Sequence, residues 1–293
     1  MIEDFVNPAF NGSVACVALV NATGIFVANT GDCRAVLGIE RESGGVGAAQ
    51  LSNDQTAATP SEVARLCSEH PGEDKCVYRG RVLGGLQPSR AFGDSRYKWT
   101  AERMKSVGVR PPKLSKTPPY VTARPEVLHT SIDRQAKFLV VATDGVWDVV
   151  SSHEAVQVVG AALKGGSSTL LAAAQLTNVA LQRYADESTG GDIEKLLEIQ
   201  APDARKVRDD ITVSVVLLEP EQVVDQGAGA AGAAGQGLSP VSNLDQPSNQ
   251  SLVDVFYTQA RQRGVKVPQP QQEQQQQQQP AGAGAGAGAD KPE

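Results

Sequence analysis

The residues best suited to chemistry are aspartates at strand ends and on tight turns. The segment Phe138-Leu-Val-Val-Ala-Thr-Asp144-Gly-Val-Trp-Asp148 reads as a buried strand, since Phe138 to Thr143 are apolar or β-branched apart from Ala142. It delivers Asp144 to the end of the strand and Asp148 four residues later. A carboxylate in that position is costly unless something positive meets it. Two close together repel, so a cation is their natural partner. An isolated Thr-Asp-Gly serves equally well as a strand-end turn, with Asp144 capping the next helix. Three further places shift the balance towards a cation: Gly31-Asp32, Phe92-Gly93-Asp94 and Asp209-Asp210. Together they offer oxygen ligands for hard divalent ions such as Mg²⁺ or Mn²⁺, which keep several waters and need few carboxylates each. The histidines His70, His129 and His153 are isolated in sequence and read as surface or core residues rather than ligands.

Strands come early and helices later. Ser13 to Val20 and Gly24 to Asn29 flank the turn Asn21-Ala-Thr-Gly24, a hairpin signal, and Arg34 to Gly38 follows as a third strand. Thr59-Pro60-Ser61-Glu62 predicts a helix start in which Thr59 caps and Glu62 reaches back as in a capping box. That helix should run through Cys67 and stop before Pro71. Ser151 opens a second helix with Val156, Val159, Ala162 and Leu163 on its apolar face, and Thr169 to about Tyr184 a third. Ile211 to Leu218 is a final strand. This order predicts an α+β fold with mainly antiparallel pairing. The glycine-rich pieces Gly44-Gly-Val-Gly47 and Gly84-Gly85 lack a phosphate-loop lysine and read as loops, which argues against nucleotide binding.

The chain has 293 residues and a formal net charge of −6, with Lys+Arg 27 against Asp+Glu 33. That balance excludes a general nucleic-acid-binding surface. Cys16, Cys33, Cys67 and Cys76 form no Cys-x-x-Cys and no Cys-x5-Arg loop, so they are expected as reduced thiols of an intracellular protein and not as a nucleophile. No apolar run reaches the roughly 18 residues of a membrane span, and neither a secretory signal nor a transit peptide is read at Met1 to Pro8. Residues 1–219 read as globular. Residues 220–293, rich in Gly, Ala and Gln, read as a disordered low-complexity tail with a short helix at 251–263 carrying Leu252, Val255, Phe256 and Ala260.

Four segments in order, Asn29-Thr-Gly-Asp32-Cys-Arg34, Ser89-Arg90-Ala-Phe-Gly-Asp94, Ala142-Thr-Asp144-Gly-Val-Trp-Asp148 and Asp209-Asp-Ile-Thr-Val213, resemble the motifs of the type 2C metal-dependent protein phosphatases. The resemblance covers roughly residues 12–218. Arg90 to Trp99, Thr117 to Val127 and Glu69-His-Pro71 are similar to the mitochondrial pyruvate dehydrogenase phosphatase branch of that family. It implies two antiparallel sheets sandwiched between helix layers (αββα). It also implies hydrolysis of phosphoserine and phosphothreonine, with two Mg²⁺ or Mn²⁺ ions per intact site and a third, weaker one. Asp144 and Asp209 match ligands of the paired ions, Asp32 and Asp148 match residues of the third site, and Arg81 matches an arginine near the substrate phosphate. Asp94 and Arg90 are expected to be structural. The implied partner is a phosphorylated protein, with the pyruvate dehydrogenase complex suggested by the branch, and the implied location is mitochondrial, with cytoplasmic as the alternative.

The sequence departs from the family at its start. It holds no Asp-Gly-His-Gly-Gly element, which supplies a further metal-binding aspartate, and no Arg-x-x-x-Glu-Asp element. The chain is therefore expected to correspond to the C-terminal two-thirds of a catalytic domain, with the fold incomplete at its N-terminus. The alternative is a non-catalytic pseudophosphatase that binds phosphoproteins or a regulatory partner.

Overall fold

The computed structural model describes residues 8–21, 24–218 and 239–240. The 251–263 helix and nearly all of the expected tail lie outside them. Two four-stranded antiparallel sheets dominate. The strands are β1 (Ala15–Asn21), β2 (Gly24–Thr30), β3 (Arg34–Glu40), β4 (Val46–Gln50), β5 (Val77–Tyr78), β6 (Arg81–Val82), β7 (Glu126–Thr130), β8 (Ala136–Ala142), β9 (Val213–Leu217) and β10 (Ser239–Pro240). One sheet has the order β9-β8-β3-β4 and the other β10-β7-β2-β1. β10, from the segment expected to be unstructured, pairs Ser239 with His129 and Pro240 with Leu128. β5 and β6 form a separate small hairpin.

The two-residue side-chain period of a strand assigns alternate residues to opposite faces. In β3 and β8, Ala35, Leu37 and Leu139 join Ile25 and Val27 of β2 in a core between the sheets. Val36, Phe138, Val140 and Ala142 point the other way, against helices. Those helices are α4 (Ser152–Lys164) and α5 (Thr169–Ser188). They bury Val156, Val159, Ala162, Ala172, Leu176 and Ala180 in the same cluster. Ser151 caps α4 by accepting from the Glu154 amide, and Ser168 caps α5 by accepting from the Leu171 amide. The other sheet turns Val17 (60% exposed) and Leu19 (57%) outward, so among the described residues the helix layer covers one side of the sandwich. No described helix is long and apolar enough to cross a membrane.

The remaining helices are α1 (Pro60–Glu69), α2 (Ala101–Ser106), α3 (Asp144–Trp147) and α6 (Ile193–Glu198). α1 starts at Pro60 as expected, but its capping box does not form. Thr59 makes no side-chain cap; its hydroxyl donates to the Asp54 carbonyl at 2.7 Å. Glu62 instead turns inward and is 3% exposed. Arg90 donates to it through Nη2 at 2.6 Å, Arg65 through Nη2 at 2.8 Å and Ser89 through Oγ at 2.6 Å. A buried carboxylate with two guanidinium partners outweighs one exposed reach to a helix terminus. Arg90 is thus the buried ion-pair partner it was expected to be. Asp94 sits 9% exposed in a left-handed turn (φ 48°) at the start of a short 3-10 turn.

Candidate metal centre

Each strand-end carboxylate is placed by its own backbone device. Asp32 lies on the turn joining β2 and β3. There the Gly31 amide donates to Gln55 Oε1 at 2.8 Å, and Asn29 Nδ2 donates to the Gly31 carbonyl at 3.0 Å. Gly31 holds φ 111°, where a Cβ would come within 2.2 Å of the Val14 side chain, so glycine is required. Asp144 is the first residue of α3, with Thr143 at the N-cap position making no side-chain cap, and the Asp144 carboxyl accepts from backbone amides at the helix start. Asp148 closes the same helical turn, its amide donating to the Asp144 carbonyl at 2.8 Å.

Thr143 ties this turn to the segment that carries Asp209. Its amide donates to the Thr212 carbonyl at 3.1 Å. Its hydroxyl donates to the Asp210 carbonyl at 3.1 Å and accepts from the Thr212 amide at 3.0 Å. Gly145 completes the join: a Cβ there would sit 2.4 Å from the Asp210 carbonyl oxygen. Asp209 itself accepts from the Asp210 amide at 2.7 Å. Residues 67 positions apart are thereby locked side by side.

The charges respond to this crowding. Burial pushes Asp32 up to about 7, helped by Asp144, Asp54 and Asp148. Burial, then Asp209 and Asp148, pushes Asp144 up to about 6. Asp148 is also raised, by burial, Asp209 and Asp54, against a lowering by Arg34. Tyr184 on α5, a residue the sequence did not single out, has its phenol raised to about 12 by burial and by the same three carboxylates, Asp148, Asp209 and Asp144. Its signal was hidden because position 184 reads as one more buried site on an Ala/Leu-rich helix.

The structure therefore brings Asp32, Asp144, Asp148 and Asp209 into one electrostatic neighbourhood. Arg81 makes no described contact with them. That residue is exposed on β6, where it donates to the Gly85 carbonyl at 3.3 Å, and no described hydrogen bond or ion pair joins it to the four. The thiols take no part: burial first, then Cys16 and Asp32, push Cys33 up to about 12, far from a thiolate. Of the histidines, His70 is buried, stacked on Tyr120 with ring centroids 4.2 Å apart, and His129 lies 4.3 Å from Phe26.

An all-oxygen donor set in which burial and neighbouring carboxylates raise Asp32, Asp144 and Asp148 fits a hard divalent cation. Among the described residues no three His, Cys, Asp or Glu side chains lie close enough to hold one ion. The sign of the proton linkage follows from the raised values. An Asp32 carboxyl at about 7 when folded contributes stability below its unfolded value and loses it as pH rises through 7. Asp32→Asn is accordingly expected to stabilise the ion-free chain at pH 7.5 by on the order of 2 kcal/mol, or about 4–8 °C in Tm. The gain should vanish by about pH 4. Calorimetric melts at the two pH values check it.

Residues 3–189 match the sequence profile of the family Protein phosphatase 2C, a span that holds Asp32, Asp144 and Asp148 and ends before Asp209. The chain belongs to the protein phosphatase 2C family. The chain is 43% identical to the mitochondrial pyruvate dehydrogenase (acetyl-transferring) phosphatase 1 of Bos taurus over 172 residues, 54% of this chain and 32% of that protein. It is 38% identical to a protein phosphatase 2C homolog of Schizosaccharomyces pombe over 240 residues, 72% of this chain and 54% of the other. A solved serine-threonine phosphatase 2C from Toxoplasma gondii aligns at TM-score 0.46 and 21% identity, over 74% of this chain and 61% of that one. The chain thus spans between a third and about half of the two curated relatives. Asp32 lies between β2 and β3, Asp144 follows β8 and Asp209 precedes β9.

Proposed function

We propose that this chain acts in a metal-dependent protein serine/threonine phosphatase that hydrolyses phosphoserine and phosphothreonine esters with water as the nucleophile. One observation carries the reading: at one end of the sandwich, burial and neighbouring aspartates, Asp209 among them, raise Asp144 and Asp148, and burial with Asp144 and Asp148 raises Asp32, in a phosphatase family member. Asp144 and Asp209 would hold the paired Mg²⁺ or Mn²⁺ ions, and Asp32 and Asp148 an outer one. When bound, such ions lower the pKa of a water and neutralise the phosphoryl oxygens. The chain's own contribution is positioning. The Thr143 cross-link fixes the spacing of Asp144 and Asp209, and the Gly31 turn fixes Asp32. Arg81 is assigned to substrate phosphate, reached from the β5–β6 hairpin. Residues 1–219 form the catalytic portion, and the pyruvate dehydrogenase complex in mitochondria is the proposed target, supported by the identity to the Bos taurus enzyme.

Phosphate release from a phosphoserine peptide tests this. The 293-residue chain, and a form extended upstream, should release phosphate with Mn²⁺, lose that release with a chelator, and keep it after thiol alkylation. Release that persists unchanged in chelator overturns the proposal.

A further inference from the structure

The small β5–β6 hairpin presents a group of cations on a strained turn. Its ladder pairs Tyr78 with Arg81 and Val77 with Val82, so Arg79 and Gly80 alone make the turn. Both sit in the left-handed region, at φ 55° and 69°. A two-residue turn of that hand suits Asn-Gly or Gly-Gly and disfavours a side chain such as arginine. Leu83 shares the left-handed backbone (φ 50°), but it is buried in a cluster with Leu66, Cys76 and Val82, so packing holds it there. Arg79 is exposed and gains no such packing. A strained, exposed cation points to a use for its charge.

Two more cations join it. Lys75 Nζ lies 5.8 Å and the Arg79 guanidinium 5.2 Å from the centre of the Tyr78 ring, and Arg81 stands opposite Tyr78 in the ladder. All four residues are exposed. An aromatic ring gathers cations without neutralising them. Among the described residues no ion pair involves Lys75, Arg79 or Arg81. In a chain of net charge −6 this tip is a local reversal of sign. One strip of chain links it to the Asp32 turn. The Gln55 amide donates to the Gly31 carbonyl at 2.9 Å, and the Gly31 amide donates to Gln55 Oε1 at 2.8 Å. At the other end of the strip, a Cβ on Gly80 would lie 4.0 Å from that of Ala58. Residues 55–58 span at most about 14 Å. We infer that the hairpin tip, with Lys75 and Arg79 around Tyr78 and Arg81 alongside, docks an acidic stretch of the protein substrate beside its phosphorylated residue. Lys75 and Arg79 meet carboxylates a few positions from the target serine, and Tyr78 gives the contact an apolar floor.

The inference rests on the phosphatase reading, so binding and hydrolysis are measured separately on the full chain. Fluorescence anisotropy follows two labelled peptides, a serine flanked by glutamates and its glutamine counterpart. The glutamate peptide should bind about tenfold tighter, the scale of several exposed charge pairs acting together, with the difference gone at about 1 M salt. Arg79→Asn supplies a residue that suits the turn, so Tm should rise by about 2 °C while the preference falls about threefold. Adding Lys75→Gln should bring the two peptides near equality. A purely structural Arg79 would give a lower Tm and an unmoved preference in Arg79→Asn, and that result overturns the inference. Equal binding of the two peptides by the unaltered chain overturns it too, as does an Arg79→Asn effect confined to vesicles of anionic phospholipid. With phosphoserine versions of both peptides and Mn²⁺, the preference should reappear in KM. Preference in binding with no phosphate release from either peptide removes the phosphatase reading, and the substrate role of the tip with it. Release at equal kcat/KM for the two peptides removes the tip alone.

Discussion

Asp144→Asn is expected to lower Mn²⁺-dependent phosphate release by about a thousandfold, a loss of about 4 kcal/mol in transition-state stabilisation. The size follows from where Asp144 sits. It is the carboxylate that feels both Asp209 and Asp148 and in turn raises Asp32, so it lies at the centre of the group's field. Asn keeps the shape and the turn, whose hydrogen bonds run through the Thr143 side chain and the Asp144 carbonyl. What is lost is the charge. Asp148→Asn, at the exposed rim, should cost far less, about tenfold, and Mn²⁺ in excess should recover part of it. A rate for Asp144→Asn within a few-fold of the unaltered enzyme, with intact folding by circular dichroism, would mean that the ions sit elsewhere.

The aspartates of this group stand out in the sequence for a physical reason. A buried strand ending in Asp144-Gly145 is costly in a folded protein, and further aspartates at strand ends, Asp32 and Asp209, point to a shared ligand. The strands and long helices were equally legible, since Val36, Phe138 and Val140 alternate with Ala35, Leu37 and Leu139 between two buried faces. What stayed hidden was anything decided by distant partners. Glu62 carries the spacing of a capping box, but its partners Ser89 and Arg90 arrive from 27 and 28 residues away and outweigh the local bond. Asp54 carries no local signal because its arginine lies 20 residues upstream on a strand. β4 was missed since Gly47 and two alanines dilute its period, and Gly47 lies where the Arg41 side chain crosses closely. Arg81 matched by motif, yet the hairpin that bears it is built separately from both sheets.

The second large effect is on stability. Glu62→Ala should destabilise the chain by about 3–5 kcal/mol, because it leaves the Arg90 and Arg65 guanidinium groups, 15% and 20% exposed, without their shared carboxylate. Burial alone would raise the Glu62 carboxyl; the hydrogen bonds from Arg90, Arg65 and Ser89 more than reverse it and hold it down to about 2. With the folded value below the unfolded one, the glutamate contributes stability above about pH 4.5, and that contribution is lost as pH falls towards 2. The penalty of Glu62→Ala should therefore be largest at neutral pH and shrink steadily in acid. Glu62→Gln offers a finer probe, since it keeps the volume and can still accept from one arginine, and should fall between. The network joins α1 to the Ser89-Arg90 segment, and Arg90 Nη1 donates on to the Arg124 carbonyl at 3.1 Å. Its loss should then open that region of the domain ahead of the β-sandwich. Hydrogen exchange would show this as faster exchange at Ala91, whose amide donates to the Thr122 carbonyl, with Val140 in β8 still protected. Denaturant melts across pH 3–8 that show the same loss at every pH would assign the effect to packing and not to the buried charge.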